Sequence, residues 1–396
     1  MSDDLAYLGI VEAAELFAAR RLSPVELTDA LLARCERLDP ALHAFIRLMP
    51  DEARAAARTA EAEFAAGRIA GPMQGIPFGL KDIIDLQGVA TTCHSKIFAD
   101  HVATSDADVT RRLKAGGGVP FGKLATHEFA IGGPSFDLPW PPAVNPWGGA
   151  HFPGGSSSGS GVAVTSGMLP AALGTDTGGS VRNPASMCSI VGMKATYGRV
   201  SRAGVFPLAY SLDHVGPMTR TVADNAALLQ VLAGHDPGDP ASADVPVPDF
   251  SAEIGMGLKG LTIGHVRHFY DGDETAHPEM AAAVEKAAET LRELGADVRE
   301  IHLAPLQDYA TCNRTIIGAE AYAIHRRFLQ ERPGDYGELG RQRILNGAGI
   351  TAADYIDALR WRARLAAETQ AAMAGLDCIL TASSLDPAPR LDDAEG

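Results

Sequence analysis

The sequence predicts an α/β protein, and three observations carry that expectation. Apolar residues recur at helical spacing through the first seventy positions. From Gly71 to about Gly216, Gly, Ser, Thr and Pro become dense and apolar runs become short, the texture of connections between strands and helices. Further on, Leu261 to Val266, His277 to Leu294 and Asp297 to Leu303 read as strand, helix and strand, a βαβ-like unit on the same sheet or on a small lobe of its own. Ser23-Pro24-Val25-Glu26 is a capping box with Pro at the first helical position, followed by Leu27, Leu31, Leu32 and Leu38. Residues 51–67 are Ala/Glu/Arg-rich and helical, with a solvated charged face. Asp106 to Ala115 reads as a helix, Val119-Pro120-Phe121-Gly122 as a strand end, and Thr221 to Ala233 as an amphipathic helix. The Pro/Asp-rich stretch 235–250 reads as a surface connection, residues 306–330 and 351–374 as helices, and Asp377 to Ala382 as a strand.

Composition bounds the function. The chain has 396 residues, with 46% hydrophobic and 21% charged side chains, an ordinary globular balance. That length supports one large domain or two to three smaller ones. A net charge of −15, with no Lys/Arg run longer than two, argues against direct nucleic-acid binding. The scattered Cys35, Cys93, Cys188, Cys312 and Cys378, with no C-x-x-C, fit a reducing cytoplasm rather than a disulfide framework or zinc ribbon. The acidic start from Met1 lacks the basic and apolar regions of a signal peptide. The uncharged stretch Phe152 to Thr175 is too rich in Gly and Ser for a membrane span. Lysines number 7 against 27 arginines, which makes each oddly placed lysine informative.

Three motifs carry chemistry. Lys81 interrupts an apolar, strand-like run, Gly75-Ile-Pro-Phe-Gly-Leu-Lys81. A snorkelling edge lysine is one reading; a buried lysine is the other, since burial lowers its pKa and leaves an amine able to act as general base. Pro153-Gly-Gly-Ser156-Ser157-Ser158 runs straight into Val162-Ala-Val164, which fits a loop leading into a buried helix better than a flexible linker. In Gly174-Thr-Asp-Thr-Gly-Gly-Ser180, two glycines before a serine let backbone N–H groups converge on one point, as in an oxyanion-binding nest; a capped turn is the plainer reading. Other patterns fail. Gly155-Ser-Ser157-Ser-Gly159 matches G-x-S-x-G cheaply within a Ser/Gly run. Gly117 to Lys123 resembles a phosphate loop, but Leu124 stands where Mg²⁺ needs a hydroxyl. His265 and His268 fit one helix face but read as ordinary surface or core residues.

The conjunction of Lys81, the Gly-Gly-Ser-Ser loop and the Thr-Asp-Thr-Gly-Gly-Ser loop closely resembles the amidase signature family of Ser-cisSer-Lys hydrolases. The spacings are 75 residues from Lys81 to Ser156 and 24 from Ser156 to Ser180. Flanking pieces agree, among them Glu128-Phe129-Ala130, Asn145-Pro146-Trp147 and Ser211-Leu-Asp-His-Val-Gly-Pro217. The resemblance implies one large domain over 1–396 with a central mixed β-sheet covered by helices on both faces. Its parts are N-terminal helices (1–69), a signature core (70–220), the βαβ-like unit (250–305) and a helical region with a terminal strand (306–396). Family members continue past Asp377-Cys-Ile-Leu-Thr-Ala, so the chain reads as shortened at its C-terminus, with a sheet edge left open.

Carried over to this sequence, Ser180 is the nucleophile and Lys81 the general base. Ser156, after a cis peptide bond from Gly155, is the relay between them. Backbone N–H groups of Thr177, Gly178, Gly179 and Ser180 form the oxyanion hole, and Gly155, Ser157, Asp176 and Arg182 support the loops. The implied reaction is hydrolysis of a small carboxamide through an acyl-enzyme, with no metal or organic cofactor and no nucleic-acid or membrane partner. A homodimer is the default assembly. The glutamine-hydrolysing A subunit of the tRNA-dependent amidotransferase shares all three motifs and is the second reading. Ala125-Thr-His127-Glu128-Phe129, in place of that protein's Asn-Met-Asp-Glu-Phe, puts a stand-alone amidase first. A non-catalytic scaffold is a third reading. Phe129, Trp140, Phe206 and Tyr309 are candidate walls of the acyl pocket.

Overall fold

A computed structural model describes residues 5–393; Met1 to Asp4 of the acidic start and residues 394–396 lie outside it. Nine strands and eleven α-helices are present among the described residues. The strands are β1 (Phe45–Leu48), β2 (Pro77–Lys81), β3 (Val119–Leu124), β4 (Ala171–Asp176), β5 (Val191–Gly192), β6 (His214–Thr219), β7 (Thr262–His265), β8 (Asp297–Glu300) and β9 (Cys378–Leu380). The architecture is a mixed α/β fold with a central mixed sheet flanked by helices, as the sequence predicts.

Contacts gather the chain into two compact units. Among the described residues the first comprises 5–252, 324–344 and 390–393. It holds a six-stranded sheet in the order β1-β3-β2-β4-β6-β5, in which β2 runs parallel to β3 and β4 while β1, β6 and β5 join antiparallel. Its N-terminal helices pack by their apolar stripes. In Pro24–Leu42, Leu27, Leu31, Leu32 and Cys35 are buried, each leucine contributing about 1.5–3 kcal/mol relative to exposure. The capping box forms as expected, with Ser23 Oγ accepting from the Val25 N–H at 2.9 Å and Glu26 accepting from the Ser23 N–H at 2.9 Å. The second unit comprises residues 253–323 and 345–389. Its three-stranded parallel sheet, β8-β7-β9, is built on the predicted βαβ unit with helix Pro278–Glu293 as the crossover. Of the two placements the sequence allows for that unit, the structure shows the second: β7 and β8 pair with β9 in a sheet separate from the six-stranded one. Among the described residues no helix is long and apolar enough to cross a membrane.

The first sheet positions the chemistry. Parallel strands β2 and β4 end at the same edge, the usual place for reacting groups in open α/β sheets. Lys81 is the last residue of β2 and Asp176 the last of β4, with Leu80 in register with Leu173. The buried helix Ser158–Thr165 lies between the Ser156 loop and β4, as the apolar run after the Gly-Ser loop implies.

Candidate active site

Lys81 is fully buried, and its Nζ lies 2.7 Å from Ser156 Oγ and 2.8 Å from Thr175 Oγ1. Burial lowers its pKa from the ordinary 10.5 to about 7, against the pull of the Asp176 and Asp213 carboxylates. The buried reading of this lysine therefore holds, and the snorkelling one does not.

The peptide bond from Gly155 to Ser156 is cis. Gly155 admits no side chain, because a Cβ there would sit 2.0 Å from Cε1 of His127. Ser157 is buried and cross-braces β4: its hydroxyl accepts from the Thr175 N–H (3.2 Å) and donates to the Thr175 carbonyl (3.3 Å). Ser180 is half-buried in the turn after β4. Its carbonyl accepts from the Ser157 N–H at 3.3 Å, so the residue after Ser156 is bonded to the residue bearing the expected nucleophile. Among the described residues the Ser180 hydroxyl has no protein partner; such bonds tighten on substrate binding.

Asp176 shapes the turn around Ser180. Its carboxylate accepts from the N–H groups of Gly179 (2.9 Å), Val181 (3.2 Å) and Arg182 (3.3 Å), and from the Arg182 guanidinium at 2.9 and 2.8 Å. Burial would raise its pKa, but Arg182 and these N–H donors outweigh that and hold it below the usual carboxylate range. The bond to Gly179 changes one expectation. That N–H is turned to Asp176 rather than to an open oxyanion position. The N–H groups of Gly178 and Ser180 have no partner among the described residues. Thr177 anchors the far side of the turn, its hydroxyl donating to Asp213 Oδ1 at 2.6 Å.

Of the expected wall residues, one lines the large cavity beside this edge. That cavity, about 570 Å³, has a mainly apolar wall that includes Ile83, Val205, Phe206, Leu208 and Tyr210, with Thr175, Thr177 and the charged Arg202, Asp213 and Asp239 also lining it. Phe129 is instead wholly buried among Phe98, Phe206, His325 and Tyr336. Trp140 packs edge-on against His94, and Tyr309 belongs to the second unit, where its hydroxyl lies 2.8 Å from Thr369 Oγ1. His265 and His268 share no helix face: His265 ends β7 and bonds Tyr270, while His268 sits in a 3₁₀ turn.

Several residues at this edge escape sequence reasoning. Thr175, the second partner of Lys81, hides inside the Gly174-Thr-Asp pattern. Lys123, at the end of the phosphate-loop near-match, forms a fully buried ion pair with Asp82 at 2.9 Å, with Thr91 Oγ1 also accepting at 3.0 Å. Lysine scarcity is the available signal. Lys123→Met leaves the Asp82 carboxylate buried and unpaired, so we expect a stability loss of about 3–5 kcal/mol. Urea unfolding checks this, and adding Asp82→Asn should recover part of the loss.

With this geometry in place, comparison with known proteins assigns the class. The amidase family model matches residues 26–396, and the chain belongs to that family. The chain is 43% identical over 379 residues to the A subunit of the glutamyl-tRNA(Gln) amidotransferase of Roseiflexus sp. (strain RS-1), covering 91% of this chain and 77% of that protein. It superposes with a TM-score of 0.91, at 32% identity, on a structure described as an unexpected vestigial protein complex bearing on the origins of an s-triazine catabolic enzyme, covering 97% of this chain and 83% of that one. The native peptide amidase of Stenotrophomonas maltophilia gives a TM-score of 0.82 at 30% identity, covering 97% and 87%.

Proposed function

We propose that the chain releases ammonia from a primary carboxamide through a Ser180 acyl-enzyme, and that glutamine is the carboxamide. The observation carrying the chemistry is the buried Lys81 amine 2.7 Å from Ser156 Oγ, with its pKa lowered to about 7. As Ser180 Oγ attacks the carbonyl carbon, its proton passes to Ser156 Oγ while the Ser156 proton passes to Lys81 Nζ. The N–H groups of Gly178 and Ser180 receive the oxyanion. Collapse breaks the C–N bond, and the Lys81 ammonium returns a proton through Ser156 to the departing nitrogen. Water then repeats the sequence on the ester and frees the acid. Asp176 and Arg182 hold the turn, and Ser157 ties it to the relay loop.

The curated relatives favour glutamine. Proteins 40–44% identical over nearly the whole chain are amidotransferase A subunits, which supports that reading over the stand-alone amidase the sequence places first. His127, where the amidotransferase motif carries Asp, and the apolar walls of the large cavity favour the stand-alone reading. Ammonia release decides between them. Purified chain should hydrolyse glutamine, and the companion subunits of an amidotransferase should raise the rate. Turnover of apolar primary amides with none of glutamine, unaffected by any companion, would establish the stand-alone amidase.

A further inference from the structure

Behind the relay loop three side chains that line one small cavity each carry a polar atom sealed from solvent and without a protein partner: His94 Nδ1, His127 Nε2 and Ser135 Oγ. The space open to a water centre is about 10 Å³, the room that one water molecule needs. The chemistry of the walls defines the occupant. His94 Nε2 lies 3.0 Å from the Trp140 carbonyl and so carries the ring hydrogen, which leaves Nδ1 as an acceptor. Burial keeps both imidazoles neutral, with His127 lowered to about 3. Glu128 also lines the cavity, but its carboxyl oxygens are taken by the Ser95 hydroxyl at 2.6 Å and the Gly337 N–H at 3.1 Å, so the atoms left without partners belong to neutral groups, and the Ser135 hydroxyl can donate or accept. A single neutral heavy atom that both donates and accepts fits all three. We propose that an ordered water is held here by His94, His127 and Ser135, and that it makes His127 a positioning residue for Ser156.

The link to the relay serine is direct. The backbone N–H of His127 donates to the Ser156 carbonyl at 3.1 Å, and the His127 ring lies against Gly155 and stacks on Phe152. Pinning the ring at Nε2 fixes the peptide that presents Ser156 Oγ to Lys81. The effect on turnover rests on Ser156 being the relay; the water does not.

A crystal structure of the full chain at a resolution that shows waters tests the site, with His127→Phe, His127→Gln and Ser135→Ala alongside. The kinetic readouts are carboxamide turnover and the rate of Ser180 labelling by a fluorophosphonate, which needs no known substrate. We expect one density peak bonded to all three atoms in the parent and none in His127→Phe. There kcat and the labelling rate should fall on the order of tenfold with KM little changed, since a small misplacement of a reacting group costs up to about 10²-fold. His127→Gln, which keeps a polar atom near the site, should recover most of the rate, as lost packing alone would not allow. If His127→Phe fails to fold, Ser135→Ala removes one partner without touching the loop and should weaken the peak and slow labelling. A dry cavity or a bound ion in the parent would overturn the assignment. Unchanged rates in a folded variant lacking the water would overturn the positioning role. A parent with the water in place but no Ser180 labelling would instead count against the proposed function.

Discussion

Replacing Ser180 by alanine is expected to lower carboxamide turnover by about 10⁴-fold or more, because the step that forms the acyl-enzyme then has no nucleophile. The fold should not notice. Ser180 is held by its backbone, through the bond from the Ser157 N–H and the grip of Asp176 on Gly179, Val181 and Arg182. Its hydroxyl has no protein partner among the described residues, so the change should stay within about 0.5 kcal/mol in urea unfolding. A fluorophosphonate should mark the parent at Ser180, located by peptide mass spectrometry, and leave Ser180→Ala unmarked. Retained turnover in the variant would place the nucleophile elsewhere. A folded parent that takes no label would bring the scaffold reading forward. Ser157 and Ser158 are poor substitutes: the first is spent on Thr175, and the second sits at the start of a buried helix.

The contrast between Ser180 and its neighbours marks what the sequence can disclose. Long helices are legible because their apolar spacing repeats, as in Pro24–Leu42, and the crossover unit is legible because two strands flank a full-length helix. Strand β1 is hidden because four residues between two helices give no periodicity. Strand β4 is hidden because Gly174-Thr-Asp reads as a turn, although every residue of it is buried and paired to β6. Among site residues, Lys81 stands out by being charged within an apolar run. Thr175 and Lys123 are opaque because their roles depend on which strands lie side by side. The Gly179 bond to Asp176 depends on turn geometry, which residue types in order do not specify. His127 is visible as a motif departure, but its orphaned Nε2 emerges only from the packing around the relay loop.

Lys81→Met should reduce turnover about 10²–10⁴-fold, the usual worth of a positioned general base, while leaving the chain at least as stable as the parent. Both halves follow from one number. The folded-state pKa is about 7 against an ordinary 10.5, so the unfolded chain binds the proton more tightly. The amine therefore costs stability in full below pH 7, and that cost disappears as pH rises toward 10.5. Removing it should raise the melting temperature most at pH 6 and progressively less at pH 8 and above. Catalysis runs the other way, because only the unprotonated amine can accept the Ser156 proton. In the parent, kcat/KM should climb tenfold per pH unit below about 7 and level off above it. In Lys81→Met the residual rate should lose that limb. A parent profile flat from pH 6 to 9, with chemistry shown to limit the rate, would remove Lys81 as the base. A variant less stable than the parent at pH 6 would mean that the bonds of Lys81 to Ser156 and Thr175 outweigh the cost of burying its amine.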